Sequence, residues 1–180
     1  MNTRMLRRIT ALGITLTLFG VYLAAQSAEP IIGTWVLNVG RSTFSPGPAP
    51  KSESRTYVME GQETKMTSKG VSEPRTYKTV RHEIKANSTG IDGDGKPTTS
   101  EWTVVYDGKD RPMTGDPDGD MFSAKRVDAF TTEWTQRRSG RVVIMGTQAI
   151  SKDGSVMTIT AKGINARGQT ISNVLVFERQ

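Results

Sequence analysis

From residue 33 onward, apolar and polar side chains alternate with a period of two. Trp35, Leu37 and Val39 alternate with Thr34, Val36 and Asn38, and Trp102, Val104 and Tyr106 alternate with Glu101, Thr103 and Val105. No stretch sustains the three-to-four spacing of a helical stripe, so the repeating unit is a half-buried strand. Similar runs lie at 53–60, 63–69, 76–86, 121–127, 131–138, 141–150, 155–162 and 170–179, which makes about ten strands. Turn residues separate them: Glu60-Gly61, Asp107-Gly108, Ser139-Gly140, Asp153-Gly154 and Asn165-Ala166-Arg167-Gly168. Consecutive strands joined by tight turns predict an all-β protein, either an up-and-down antiparallel barrel of about 8–10 strands or a β-sandwich. A barrel is the better solution, because an open sheet of that size leaves long edges unpaired. The faces opposite the aromatic residues carry Arg81, Glu83, Lys85, Glu101, Thr158, Thr160 and Lys162. Such a face does not suit lipid, which argues against an outer-membrane barrel.

The same alternation nominates interior residues. Tyr57, Met59, Trp102, Tyr106, Phe122, Trp134, Met145 and Met157 are read as facing inward, with Met145 beside Val143, together with the smaller or polar Thr147, Ala149, Ala161 and Asn173. Only 7% of residues are aromatic, a thin supply of bulk for the inside of ten strands, so a cavity is expected. Small barrels either fill with side chains or hold one ligand. Tyr57, His82, Trp102, Tyr106, Trp134 and Met145 are the candidate ligand-binding residues. His82 is the single histidine and shares a face with Val80, Ile84 and Ala86. With no cysteine in the chain, one imidazole does not assemble a metal site, and it reads as a hydrogen-bonded interior residue.

Charge and address change the picture modestly. Residues 1–27 read as a secretory signal: Arg4, Arg7 and Arg8 come first, Ile9 to Ala25 carry no charge, and Ala25 and Ser27 supply small residues before a cut preceding Ala28. The remainder, 28–180, is expected to form one domain in the periplasm or outside the cell, with no integral membrane segment once the leader is removed. Taking the three leader arginines from 24 basic residues leaves 21 against 18 acidic ones. That small, dispersed excess does not mark a nucleic-acid surface. Gly90 to Lys96 nearly spells a phosphate loop, but Pro97 stands where a hydroxyl must reach magnesium. Asp92-Gly93-Asp94 and Asp116-Pro117-Asp118-Gly119-Asp120 imitate the start of a calcium loop, yet Thr103 and Val127 occupy the twelfth positions. No cofactor or metal is expected.

Gly33-Thr34-Trp35, opening the first strand, resembles the Gly-x-Trp signature of lipocalins and fatty-acid-binding proteins, the calycin barrels. The longer string GTWVLNVGRSTFSPGPAPKS is similar to the start of uncharacterised lipocalin-like proteins secreted by bacteria. The resemblance implies that Trp35 packs across the closed end of a barrel and that a basic residue near the C-terminus, here Arg179, lies over it. It implies that Gly33 permits a close backbone approach there. These are structural roles. The fatty-acid-binding family also carries two short helices after its first strand, which Pro46, Pro48 and Pro50 preclude here, and an Arg-x-Tyr carboxylate clamp on its last strand. Leu175 and Phe177 stand at those clamp positions.

The resulting expectation is a lipocalin-like binding protein that encloses a small apolar or amphipathic molecule. The alternative is a filled barrel acting through its surface as an envelope module, with extended loops at 87–98 and 107–120 as the contact face. An enzyme ranks third, because no catalytic set assembles from the residues.

Overall fold

A computed structural model describes residues 29–67 and 76–180, with side chains outside 62–82. The secretory signal expected at 1–27 lies outside the described residues. Ten strands follow in chain order: β1 (Gly33–Leu37), β2 (Ser52–Thr67), β3 (Thr76–Ile91), β4 (Pro97–Val104), β5 (Arg111–Thr114), β6 (Met121–Arg126), β7 (Thr131–Arg138), β8 (Arg141–Ile150), β9 (Val156–Ile164) and β10 (Thr170–Arg179). Each pairs antiparallel with the next, and β1 pairs with β10 to close the barrel. The fold is therefore a closed, up-and-down, ten-stranded antiparallel β-barrel.

The count of ten arises differently from the sequence reading. Glu60-Gly61 does not turn: Glu60 pairs with Glu83 and Gly61 with His82, so two expected strands are one long β2. The missing strand is β5, inside the stretch expected as a loop at 107–120. It is only four residues long and has two register pairs on each side. Pro112 within it lacks an amide donor, which restricts ladder pairing. The two loops expected to form one contact face are consequently split. Residues 107–110 lie at the end of the barrel where β1 begins and β10 ends, whereas 92–96 and 115–120 lie at the opposite end.

Register decides which side chains point inward, and neighbouring strands agree. Trp35 pairs with Arg55, Tyr57 with Ala86, Ala86 with Trp102, Ala124 with Trp134, Gly146 with Ala161, and Leu175 with Ile159. On β8 this corrects the sequence reading. Ile144, Gly146, Gln148 and Ile150 face the interior, so Met145, Thr147 and Ala149 belong to the outer face, and Met145 is 53% exposed; Val143 sits at a register shift and packs against Ile144, Ala161 and Ile171. The segment Val142-Val143-Ile144-Met145 is apolar on both faces, and a slip of one residue reverses every side chain. What decides the parity is Gly146, opposite Trp134: a Cβ there would strike the Thr160 carbonyl and approach the Trp134 ring to 3.0 Å. Met59 also remains largely exposed, at 44%.

The end where β1 begins and β10 ends is packed solid. Trp35, Phe177 and Met157 are 0% exposed there, joined by Ile31, Ala124 and Ile150. The Trp35 indole donates from Nε1 to the Ile31 carbonyl at 2.8 Å. The Arg179 guanidinium lies 4.2 Å from the ring centroid of Trp35 and donates to the carbonyls of Gly154, Ile32 and Pro30. Gly33 has φ +132°, and a Cβ there would come within 2.6 Å of the same guanidinium, so glycine lets Arg179 reach the floor. Tyr106, half-buried, donates to Glu29 at 3.1 Å, and Arg126 stacks 3.9 Å over its ring while pairing with Glu29. These contacts pin residues 29–32 across the base.

Candidate functional site

Above the Trp35 floor the barrel is hollow. A cavity of about 270 Å³ is lined by residues of every strand except β1 and by the loop between β5 and β6. One wall is aromatic. Tyr57 meets Trp102 edge-on at 5.9 Å between centroids, Trp102 meets Phe122 at 6.1 Å, and Phe122 stacks on Trp134 at 6.3 Å with an interplanar angle of 17°. Ile144, Ile159, Ala161, Ile171 and Leu175 form the facing aliphatic wall. Gly146 is what admits the Trp134 ring. The indole Nε1 of Trp134 is enclosed and has no acceptor among the described residues, a costly state for a donor removed from water.

The interior is not uniformly apolar. Glu53 and Arg55 point inward from β2, on the same face as Tyr57. Arg55 Nε donates to Glu53 Oε1 at 2.6 Å, and Ser88 Oγ donates to the same oxygen at 2.9 Å. The guanidinium is also held between two rings, 4.9 Å from the Phe177 centroid and 5.6 Å from that of Trp102. Burial opposes the charge of Arg55, but the Glu53 carboxylate beside it more than offsets this and raises its pKa. Burial pushes the Tyr57 phenol up. Both residues thus keep their ordinary charge states at neutral pH.

The opposite end is roofed by residues 115–120. Asp116 accepts from the Asp118 backbone at 2.7 Å and from Gln136 Nε2 at 3.0 Å. Asp118 accepts from the Ala166 backbone at 2.6 Å and lies 3.8 Å from Arg138. Asp120 accepts from Ser139 N at 2.9 Å, and Asp94 pairs with Arg167 at 2.8 Å. The aspartates that imitate calcium loops are therefore engaged in tying the loops at this end to one another. Burial raises the Asp116 carboxyl above the ordinary range, and the Asp118 charge adds to this, while its hydrogen bonds act in the other direction.

The candidate residues separate accordingly. Tyr57, Trp102 and Trp134 line the cavity. Tyr106 belongs to the filled base, and Met145 lies on the outer face, the reverse of its expected orientation. The side chain of His82 lies outside the described residues; its backbone pairs with Gly61 on the hairpin beyond the β1 and β4 pairings. Glu53, Arg55, Ser88, Asp116 and Gln136 were missed. For the first two the signal was available, since period-two parity from Tyr57 places Arg55 and Glu53 inward. Asp116 reaches the site through a loop fold that periodicity does not encode. At the positions equivalent to the fatty-acid clamp, Leu175 lines the cavity and Phe177 stacks under Arg55, so the interior cation comes from β2 instead. No family model matches this chain, and no curated protein matches it.

Proposed function

We propose that this protein is a lipocalin-like binding protein, exported from the cytoplasm, that encloses one small amphipathic molecule and acts by carrying it rather than transforming it. One observation carries the reading: the cavity of about 270 Å³ between the aromatic wall and the aliphatic wall of the barrel. Its volume falls just under the usual range for small-molecule sites, roughly 300–1,000 Å³, and suits a molecule of bicyclic size better than a long acyl chain. The few polar groups among apolar walls match the way such sites fix a ligand's orientation. The filled lower half supports a rigid scaffold beneath the site. Export rests on the basic and apolar character of residues 1–27.

The test is native mass spectrometry of the protein purified from its own host, together with calorimetric titration by the neutral bicyclic probe 2-ethylnaphthalene. A co-purifying small molecule and saturable one-to-one binding of the probe are expected. If the native mass equals the bare chain and no heat of binding is found, the barrel acts through its surface and the carrier reading fails.

A further inference from the structure

The charges inside the barrel are unbalanced with respect to a ligand. Among the described residues Arg55 is the only basic side chain lining the cavity, against the acids Glu53, Asp116 and Asp118. Arg55 is already committed: Glu53 holds its Nε at 2.6 Å, and its guanidinium lies between the Trp102 and Phe177 rings. An anionic ligand therefore meets no free cation and faces two further carboxylates. Asp118 has compensation from Arg138 and the Ala166 amide. Asp116 has two neutral donors and, among the described residues, no cation in hydrogen-bonding contact, the Arg55 charge acting on it only from a distance, while each carboxylate oxygen retains accepting capacity. A half-buried carboxylate held this way gains from an opposite charge brought in by a ligand.

The wall supplies the second constraint. Trp102, Phe122 and Trp134 follow one another at about 6 Å spacing, with Phe122 and Trp134 nearly parallel, which offers ring faces and edges to a flat partner.

Building on the carrier reading, we infer that the barrel selects a flat aromatic molecule bearing a protonated amine, its ring along the Trp102–Phe122–Trp134 wall and its ammonium at Asp116. A carboxylate of the same shape is rejected, because it would set a second negative charge beside Asp116, which has no cation paired to it, in a site where solvent screening is weak. The selectivity comes from the loop roof and not from the last strand.

Three probes of one shape test this on the full mature protein: 2-(2-naphthyl)ethylamine, 2-ethylnaphthalene and 2-naphthylacetate, titrated calorimetrically at neutral pH. The amine is expected to bind at least tenfold tighter than the neutral probe, and the acid weakest. In Asp116→Asn the amine should fall to within about threefold of the neutral probe, whose own affinity stays within twofold. Equal affinities for amine and neutral probe, or tightest binding of the acid, overturn the inference while leaving the carrier reading standing. An amine preference that survives Asp116→Asn also overturns it. Failure of all three probes removes the carrier reading itself. The three-probe comparison needs no variant, so it decides even if Asp116→Asn does not fold.

Discussion

Truncating Trp35 to alanine probes the floor on which the cavity stands. The indole is fully buried, donates to the Ile31 carbonyl at 2.8 Å and underlies the Arg179 guanidinium at 4.2 Å. Loss of a buried Trp side chain costs about 3–5 kcal/mol through transfer and cavity formation. The Ile31 carbonyl loses its indole donor, and leaving a buried partner unsatisfied adds about 1 kcal/mol or more. The stacked guanidinium contributes roughly 0.5–1 kcal/mol at a partly exposed site, although Arg179 retains its three carbonyl acceptors. The expected total is about 4.5–7 kcal/mol, a large share of the roughly 5–15 kcal/mol that holds a domain folded. For a chain of this size each kcal/mol moves Tm by about 2–4 °C, so a drop of roughly 9–28 °C should follow. The assay is urea unfolding read by far-ultraviolet circular dichroism, which does not depend on tryptophan emission. Arg179→Met alone and combined with Trp35→Ala should show positive coupling, because each removes the other's stacking partner. A loss below about 1 kcal/mol with an unchanged denaturant slope would refute the floor assignment.

Filling the hollow should abolish binding without unfolding the barrel: Ala161→Phe projects into the cavity and is expected to weaken 2-ethylnaphthalene at least tenfold by calorimetry. Met145→Trp, on the outer face, should leave that affinity within twofold, and a large loss there would reverse the β8 parity. Arg55→Ala strands Glu53 inside the barrel; removing one partner of a buried pair costs about 3–5 kcal/mol, here reduced to about 2–3 kcal/mol because the two side chains are 21% and 15% exposed. Glu53→Gln with Arg55→Met should cost less than Arg55→Ala alone in urea unfolding, and strictly additive losses would contradict the pairing. Two aspartates should give opposite pH responses in melting scans. The folded state raises Asp116, so its contribution is full below the ordinary aspartate value of about 3.9 and is lost as pH rises through the raised value; Asp116→Asn should flatten that decline. Asp153 is lowered to about 2, chiefly by the Ser151 hydroxyl and then by the Ser155 amide and hydroxyl. Its contribution is present above about pH 4 and lost as pH falls toward 2, and Asp153→Ala should remove that acid-sensitive component.

The sequence by itself determined the class of fold, because period-two alternation and Gly-containing turns are local. Gly108, Gly140, Gly154 and Gly168 all adopt positive φ at turns where their neighbours announced them. It also determined the inward parity of Trp35, Tyr57, Trp102 and Trp134: the last two are flanked by polar residues on both sides, and the first two are large rings each between a threonine and a valine. Where both faces are apolar, as at Val142 to Met145, local pattern carries no parity, and only the packing of Gly146 against Trp134 and Thr160 decides it. The same limit hid the continuity of β2, since Gly61 looks like a turn until β3 pairs across it. Only tertiary structure decided that the barrel is filled at one end and hollow at the other. That division depends on where the rings of ten strands fall in depth, and depth follows from stagger between strands rather than from any one of them. The charge inside was half legible: Arg55 and Glu53 share a face with Tyr57, but their pairing needs Ser88 from β3 and the rings of Trp102 and Phe177. Asp116 was not legible, because a loop carries it over the mouth, and the contacts holding it there come from Gln136, more than a dozen residues downstream and two strands away.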